Sequence, residues 1–127
     1  SAIASYRRIS DIVQLQRAIV EEYRRAFSLL RQDRHFTPDE IDHICTVYSN
    51  IIAESLKNVD DVLAVANSST VQMNDAERLK IIDDAALRVE EHYSALRRFT
   101  RRAAGVSLER ATTKRDAEKI KEMYGIQ

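Results

Sequence analysis

Phe36-Thr37-Pro38-Asp39-Glu40-Ile41 is the stretch that decides the fold. It reads as a helix start: Thr37 at the N-cap, Pro38 in the first helical position and Glu40 three residues after the cap. Phe36 and Ile41 are spaced to form a hydrophobic staple across that start. Asp39 and Glu40 place negative charge at the positive end of the helix dipole. One helix must therefore end before Phe36 and another must begin at Pro38, the only proline of the chain.

Upstream, Ile9, Ile12, Ile19, Tyr23, Ala26 and Leu30 recur at steps of three and four, the spacing of one helical face. Val13, Val20 and Phe27 widen the stripe. Gln16 interrupts it, as a polar residue that sets register can do at a seam position. Downstream, Ile41, Ile44 or Cys45, Tyr48, Ile51 or Ile52, Ser55 or Leu56, Val59, Val62 or Leu63, and Ala66 continue the pattern. Asn67 to Thr70 reads as a polar loop. Asn74-Asp75-Ala76-Glu77 is a second capping box, followed by Leu79, Ile82, Ala86, Val89, Tyr93 and Leu96, with Phe99 on the flank. Gly105 is read as stopping or kinking this third helix. Thr113 to Asp116 opens a short last helix with Ala117, Ile120 and Tyr124 on its apolar face, ended by Gly125.

With Gly 2 and Pro 1 in 127 residues, few turns are available, which favours long helices over sheets. The expected fold is all-α: one domain over residues 1–127, an elongated antiparallel three-helix bundle with coiled-coil-like packing and a short fourth C-terminal helix. The helices are expected at about 5–31, 38–66, 75–103 and 113–124. Any second apolar stripe would be a partner surface, and Ile81, Ala85 and Leu87 lie off the main row of the third helix.

The formal net charge is +0, so bulk charge points to no polyanionic partner. The charges are segregated, however: by count residues 35–96 carry −8 and residues 97–115 carry +6. The basic block is Arg97, Arg98, Arg101, Arg102, Arg110, Lys114 and Arg115, opposed only by Glu109. Three readings fit it. Arginines in the last turns of the third helix complement its dipole and pair with the acidic helices. The block could contact nucleic acid or an anionic surface, although no base-reading or stacking motif accompanies it. Or it presents a protein interface.

No catalytic grammar is present. Glu40-x-x-His43 has the spacing of half a di-iron site, but His92 has Val89 where a second glutamate would stand. His43 and Cys45, two residues apart on a helix, point in different directions, and Cys45 sits on the apolar row as a small core residue. His35 reads as a loop surface histidine with no ligand set nearby. Tyr23, Tyr48, Tyr93 and Tyr124 fall on apolar rows, where a tyrosine buries its ring and keeps its hydroxyl at the edge. No catalytic residue, cofactor site or metal site is expected. No apolar run approaches the ~18 residues of a membrane span, and no leader is visible from Ser1.

The order of several pieces resembles one family: Phe36-Thr37-Pro38, Tyr48-Ser49, Asn74-Asp75-Ala76-Glu77-Arg78, Ile81-Ile82-Asp83, Val106-Ser107-Leu108-Glu109-Arg110-Ala111 and Met123-Tyr124-Gly125. Together they look like the small secreted TraI-type transfer proteins of Bacteroidetes conjugative transposons, which are distinct from the relaxase. In that family the Val-Ser-x-x-Arg-Ala segment is taken as a turn. The resemblance implies a non-enzymatic structural or interaction component of a conjugative, type IV secretion-like apparatus. It would be located in the periplasm or cell envelope, with other apparatus proteins, or further copies of itself, as partners. The alternative from the residues is a cytoplasmic nucleic-acid-associated module using Arg97 to Arg115.

Overall fold

In the computed structural model, residues 2–67 and 73–127 are described. They form four helices: α1 Ala2–Gln32, α2 Pro38–Asn67, α3 Asp75–Glu109 and α4 Lys114–Tyr124. The polar loop expected at Asn67–Thr70 lies, from residue 68 on, outside the described residues, and Asn67 itself closes α2. α1, α2 and α3 each pack on the other two, and α4 packs on α3.

The caps form as the sequence implies. Thr37 N–H donates to Glu40 Oε1 at 3.0 Å, and Glu40 N–H donates to Thr37 Oγ1 at 3.2 Å. This reciprocal box satisfies two donors that a helix start leaves open. Glu77 N–H donates to Asn74 Oδ1 at 2.8 Å, and Asp116 N–H donates to Thr113 Oγ1 at 3.0 Å. α4 ends as expected on Gly125, the only residue with positive φ among those described, at 69°. Ile126 N–H reaches Lys121 O at 2.8 Å and Gly125 N–H reaches Glu122 O at 3.3 Å, the paired bonds of a Schellman end.

Each long helix buries one row at steps of four and three. On α1, Ile12, Gln16, Ile19, Ala26 and Leu30 are buried, with Tyr23 half-buried between the last three. On α3 the row is Ile82, Ala86, Val89, Tyr93, Leu96, Thr100, Ala103 and Ser107. Burying one aliphatic side chain of this kind stabilises the fold by about 1.5–3 kcal/mol. Tyr23, Phe27, Tyr48 and Phe99 join the three helices through ring contacts with centroids 5.4–6.2 Å apart. Contacts step in opposite directions along α2 and α3: Glu40 meets Arg110, Tyr48 meets Thr100 and Asn58 meets His92. Along α1 and α3 they step in the same direction, from Arg8–Asp83 to Asp33–Ser107.

Four expectations require correction. α1 begins at Ala2, ahead of Ser5. α3 does not stop near residue 103. It runs through Gly105 to Glu109, so Val106-Ser107-Leu108-Glu109 is helix and not a turn. A helical glycine costs about 1 kcal/mol relative to alanine, and burial of Ser107 and part-burial of Val106 and Leu108 on the turn beyond it offset that cost. Ala85 belongs to the core at 1% exposed, so Leu87 stands out alone, at 59%, from the stripe expected with it. The Tyr48 hydroxyl is buried: Thr100 Oγ1 donates to Leu96 O at 3.0 Å, which leaves Tyr48 to donate to Thr100 at 2.5 Å.

The two glycines respond in opposite directions to the same change. Nothing lies within 4 Å of the position where a Cβ would sit at Gly105. Gly105→Ala is expected to raise the unfolding free energy by about 1 kcal/mol in urea denaturation. Gly125→Ala is expected to lower it by about 1 kcal/mol, because alanine disfavours the left-handed region.

Candidate functional site

The buried row of α1 does not end at Leu30. The next seam position, one residue past the end of α1, is Asp33, 6% exposed, a carboxylate where the pattern would place an aliphatic residue. Its Oδ1 accepts from the His35 backbone N–H at 2.9 Å and from His35 Nδ1 at 2.7 Å. Its Oδ2 accepts from Ser107 Oγ and from the Tyr124 hydroxyl, both at 2.6 Å. His35 Nε2 faces Asp116 Oδ2 at 2.8 Å, and Arg34 Nη2 donates to Asp116 Oδ1 at 3.1 Å. One carboxylate thus gathers the α1–α2 connection, the last turns of α3 and the end of α4, while His35 adds the start of α4.

The electrostatics follow from these contacts. Burial pushes the Asp33 carboxyl upward, but the bonds from Ser107, Tyr124 and His35 together outweigh it and hold it below its ordinary value. The hydrogen bond to Asp116, and then that to Asp33, raises His35. The His35 bond likewise lowers Asp116. Burial, reinforced by Asp33, raises the Tyr124 hydroxyl. Both imidazole nitrogens face carboxylates, which is the arrangement of an imidazolium donating twice.

A Ser–His–Asp set invites comparison with a hydrolytic triad, and the geometry does not support it. A triad needs the serine to donate to the imidazole. Here Ser107 gives its proton to Asp33, and it lies 3.2 Å from an Nδ1 already committed to that same carboxylate. The cluster is a clasp that closes the fold. His35, expected on the surface, is instead its centre, with 11% of its side chain exposed. Asp33, Ser107 and Asp116 were not singled out from the sequence. A charged residue on the next seam position of α1, three after Leu30, is the signal that could have found the site.

Outside the clasp, Arg110 pairs twice with Glu40 at 2.8 Å, donates to His35 O at 2.8 Å and lies over the Phe36 ring at 5.7 Å. Arg110, followed by the capping bond from Thr37, holds the Glu40 carboxyl down at about 2. Glu40 is therefore engaged twice over, by its cap and by Arg110. His43 is exposed, and Cys45 is half-buried.

The basic block is divided. Arg98 pairs with Glu91 at 3.0 Å, and Arg97 lies over the Tyr93 ring at 5.8 Å. Arg101, Arg102, Lys114 and Arg115 have no ion pair among the described residues. Because α3 continues to Glu109, Arg97 to Arg102 are not in its last turn. Interaction with the helix dipole fades within that turn and does not account for them. Arg97 and Arg101 face a groove of about 520 Å³ between α1, α3 and the end of α4. Arg102 stands on the rim of another groove, of about 460 Å³, between α2 and α3. No helix among the described residues is long and apolar enough to cross a membrane. No protein family, curated protein or solved structure matches the chain.

The clasp sets a pH dependence with two limbs. Asp33 and Asp116 titrate lower in the folded state, so their contribution is present above about pH 4 and is lost as pH falls through their folded values. His35 titrates higher, so its contribution is full below about pH 6.5 and is lost as pH rises through its folded value. Unfolding free energy is expected to be greatest between those limits, and His35→Gln is expected to flatten the alkaline limb in denaturation series across pH. Asp33→Ala leaves the Ser107, Tyr124 and His35 donors without their shared acceptor. It is expected to cost about 3 kcal/mol in the same assay.

Proposed function

We propose that this protein is a non-enzymatic structural or interaction component of a conjugative, type IV secretion-like transfer apparatus, placed in the periplasm or cell envelope and working through its helical surfaces. In this reading the four helices make an elongated antiparallel three-helix bundle with coiled-coil-like packing and a short fourth helix. The four-three spacing of the buried rows and the opposed contact order of α2 and α3 support that architecture. The ordered motifs from Phe36-Thr37-Pro38 to Met123-Tyr124-Gly125 support the transfer role.

The observation that carries the reading is the face around Arg102. Phe36, Ile44, Phe99, Ala103 and Val106 line an open, apolar groove beside it. Asp39 and Glu40 stand on the same rim; Glu40 is already held by Arg110, whereas Arg102 has no ion pair among the described residues. An apolar cleft next to an unpaired guanidinium suits a partner helix that brings a hydrophobic anchor and an adjacent carboxylate. The clasp, by contrast, spends its hydrogen-bonding groups on one another, which favours a role in holding shape over one in chemistry.

Arg102→Glu is expected to reduce the transfer frequency of a conjugative element carrying it at least tenfold, with the denaturation midpoint unchanged. Wild-type transfer at equal cellular level would overturn the proposal. Fractionation is expected to place the protein with the envelope. Recovery in the cytoplasm, with DNA binding that weakens steeply with salt, would instead support the nucleic-acid module.

A further inference from the structure

On α3, Arg97, Arg101 and Gly105 follow one another at steps of four and so share one face. The ridge made by the two arginines drops away at Gly105, where nothing lies within 4 Å of the missing Cβ. The groove of about 520 Å³ opens at that place, with Ala104 and Leu108 on its α3 side and Ile126 across from them. Its volume is within the range of small-molecule sites. From Arg97 to Leu108 the helix rises about 16 Å at 1.5 Å per residue, enough for a head group and a medium-length chain.

The polar groups of the groove are unequally engaged. Thr100 donates to Leu96 O, and the Tyr124 hydroxyl donates to Asp33, so neither hydroxyl proton is available to a ligand. Glu22 is matched by Arg25 through bonds of 2.6 and 3.2 Å. The unmatched charge is that of Arg97, whose guanidinium lies over the Tyr93 ring at 5.8 Å, and Arg101, which has no ion pair among the described residues. Two guanidiniums at one end and an apolar run at the other make an amphipathic site for an anion.

Gly105 is the second, independent observation. Its φ is not positive, and no neighbour excludes a larger side chain, yet glycine inside a helix is unfavourable relative to alanine. A molecule lying against the α3 backbone supplies a reason that the chain's own packing does not. We propose that this groove binds an amphipathic monoanion, a carboxylate or phosphate diester on an unbranched apolar chain. The head group sits between Arg97 and Arg101, and the chain runs over Gly105 to Leu108 and Ile126. One wall is the end of α4, which the Tyr124–Asp33 bond holds in place.

Titration calorimetry on the whole chain, with decanoate below its aggregation threshold, tests this. Saturable binding of one decanoate per chain is expected, with decanol at least tenfold weaker. Gly105→Leu, which fills the groove, and Arg101→Gln, which removes the charge, are each expected to weaken decanoate at least tenfold. Both variants are first required to unfold at or above the wild-type midpoint less a few degrees, and Arg101→Gln, on the exposed surface, keeps the test open if Gly105→Leu does not fold. No saturable binding, equal affinity for decanol, or undiminished binding by a folded Gly105→Leu would overturn the proposal. Sedimentation with phosphatidylglycerol vesicles separates the sources. Capture lost in both variants identifies a lipid as the donor of the same chemistry. Capture lost only in Arg101→Gln indicates surface charge alone and overturns the groove.

Discussion

A carboxylate at the end of an apolar seam is the constraint on which the rest of this structure depends. Asp33 occupies a position that the row on α1 would give to an aliphatic side chain, and almost none of it reaches solvent. A buried charge persists only if hydrogen bonds replace its hydration. The donors that do so come from separate parts of the chain: His35 just after α1, Ser107 near the end of α3 and Tyr124 at the end of α4. Satisfying one charge therefore fixes where three segments meet.

That requirement also explains why the bundle core changes character along its length. Around Ile12, Ile19, Ile82 and Val89 it is mainly aliphatic, with Gln16, Ser55 and Asn58 as its buried polar residues. Around Tyr48 and Phe99 it is aromatic, and the Tyr48 hydroxyl already needs Thr100 as a partner. At Asp33 and Ser107 it is polar and charged. Apolar packing is tolerant of small shifts along the seam, whereas a carboxylate with four short hydrogen bonds is not. The polar end is suited to setting the register of the helices, and the apolar length supplies the burial.

The same end organises the surface. Arg110 is held by Glu40 and the His35 carbonyl, so it belongs to the closure of the fold. Neighbouring arginines on α3 diverge because residues one apart on a helix point about 100° from each other. Arg101 is turned toward α1 and α4, and Arg102 toward α2. A block that looks continuous in the sequence is thus two separate charged margins, each beside its own groove.

The helical class, the three capped starts and the Gly125 end were all legible in the sequence, because caps and amphipathic rows are local patterns that act within a few residues. The apolar part of the core was legible for the same reason: Ile12, Ile19, Leu30, Tyr48, Ile82, Val89 and Leu96 lie on the rows as read and are buried. Gly105 misled because a glycine ends a helix only where its neighbours do not reward continuing it, and that reward comes from residues past it, Ser107 buried and Val106 and Leu108 half-buried. Stopping α3 there hid Ser107 and made the arginines look terminal. His35 was illegible for a related reason. Its partners Asp116 and Ser107 are 81 and 72 residues away in the chain, and nothing short of the packed helices brings them together. Where each helix begins was written locally. Which side chains meet at its far end was decided only in three dimensions, by the need to solvate one buried charge.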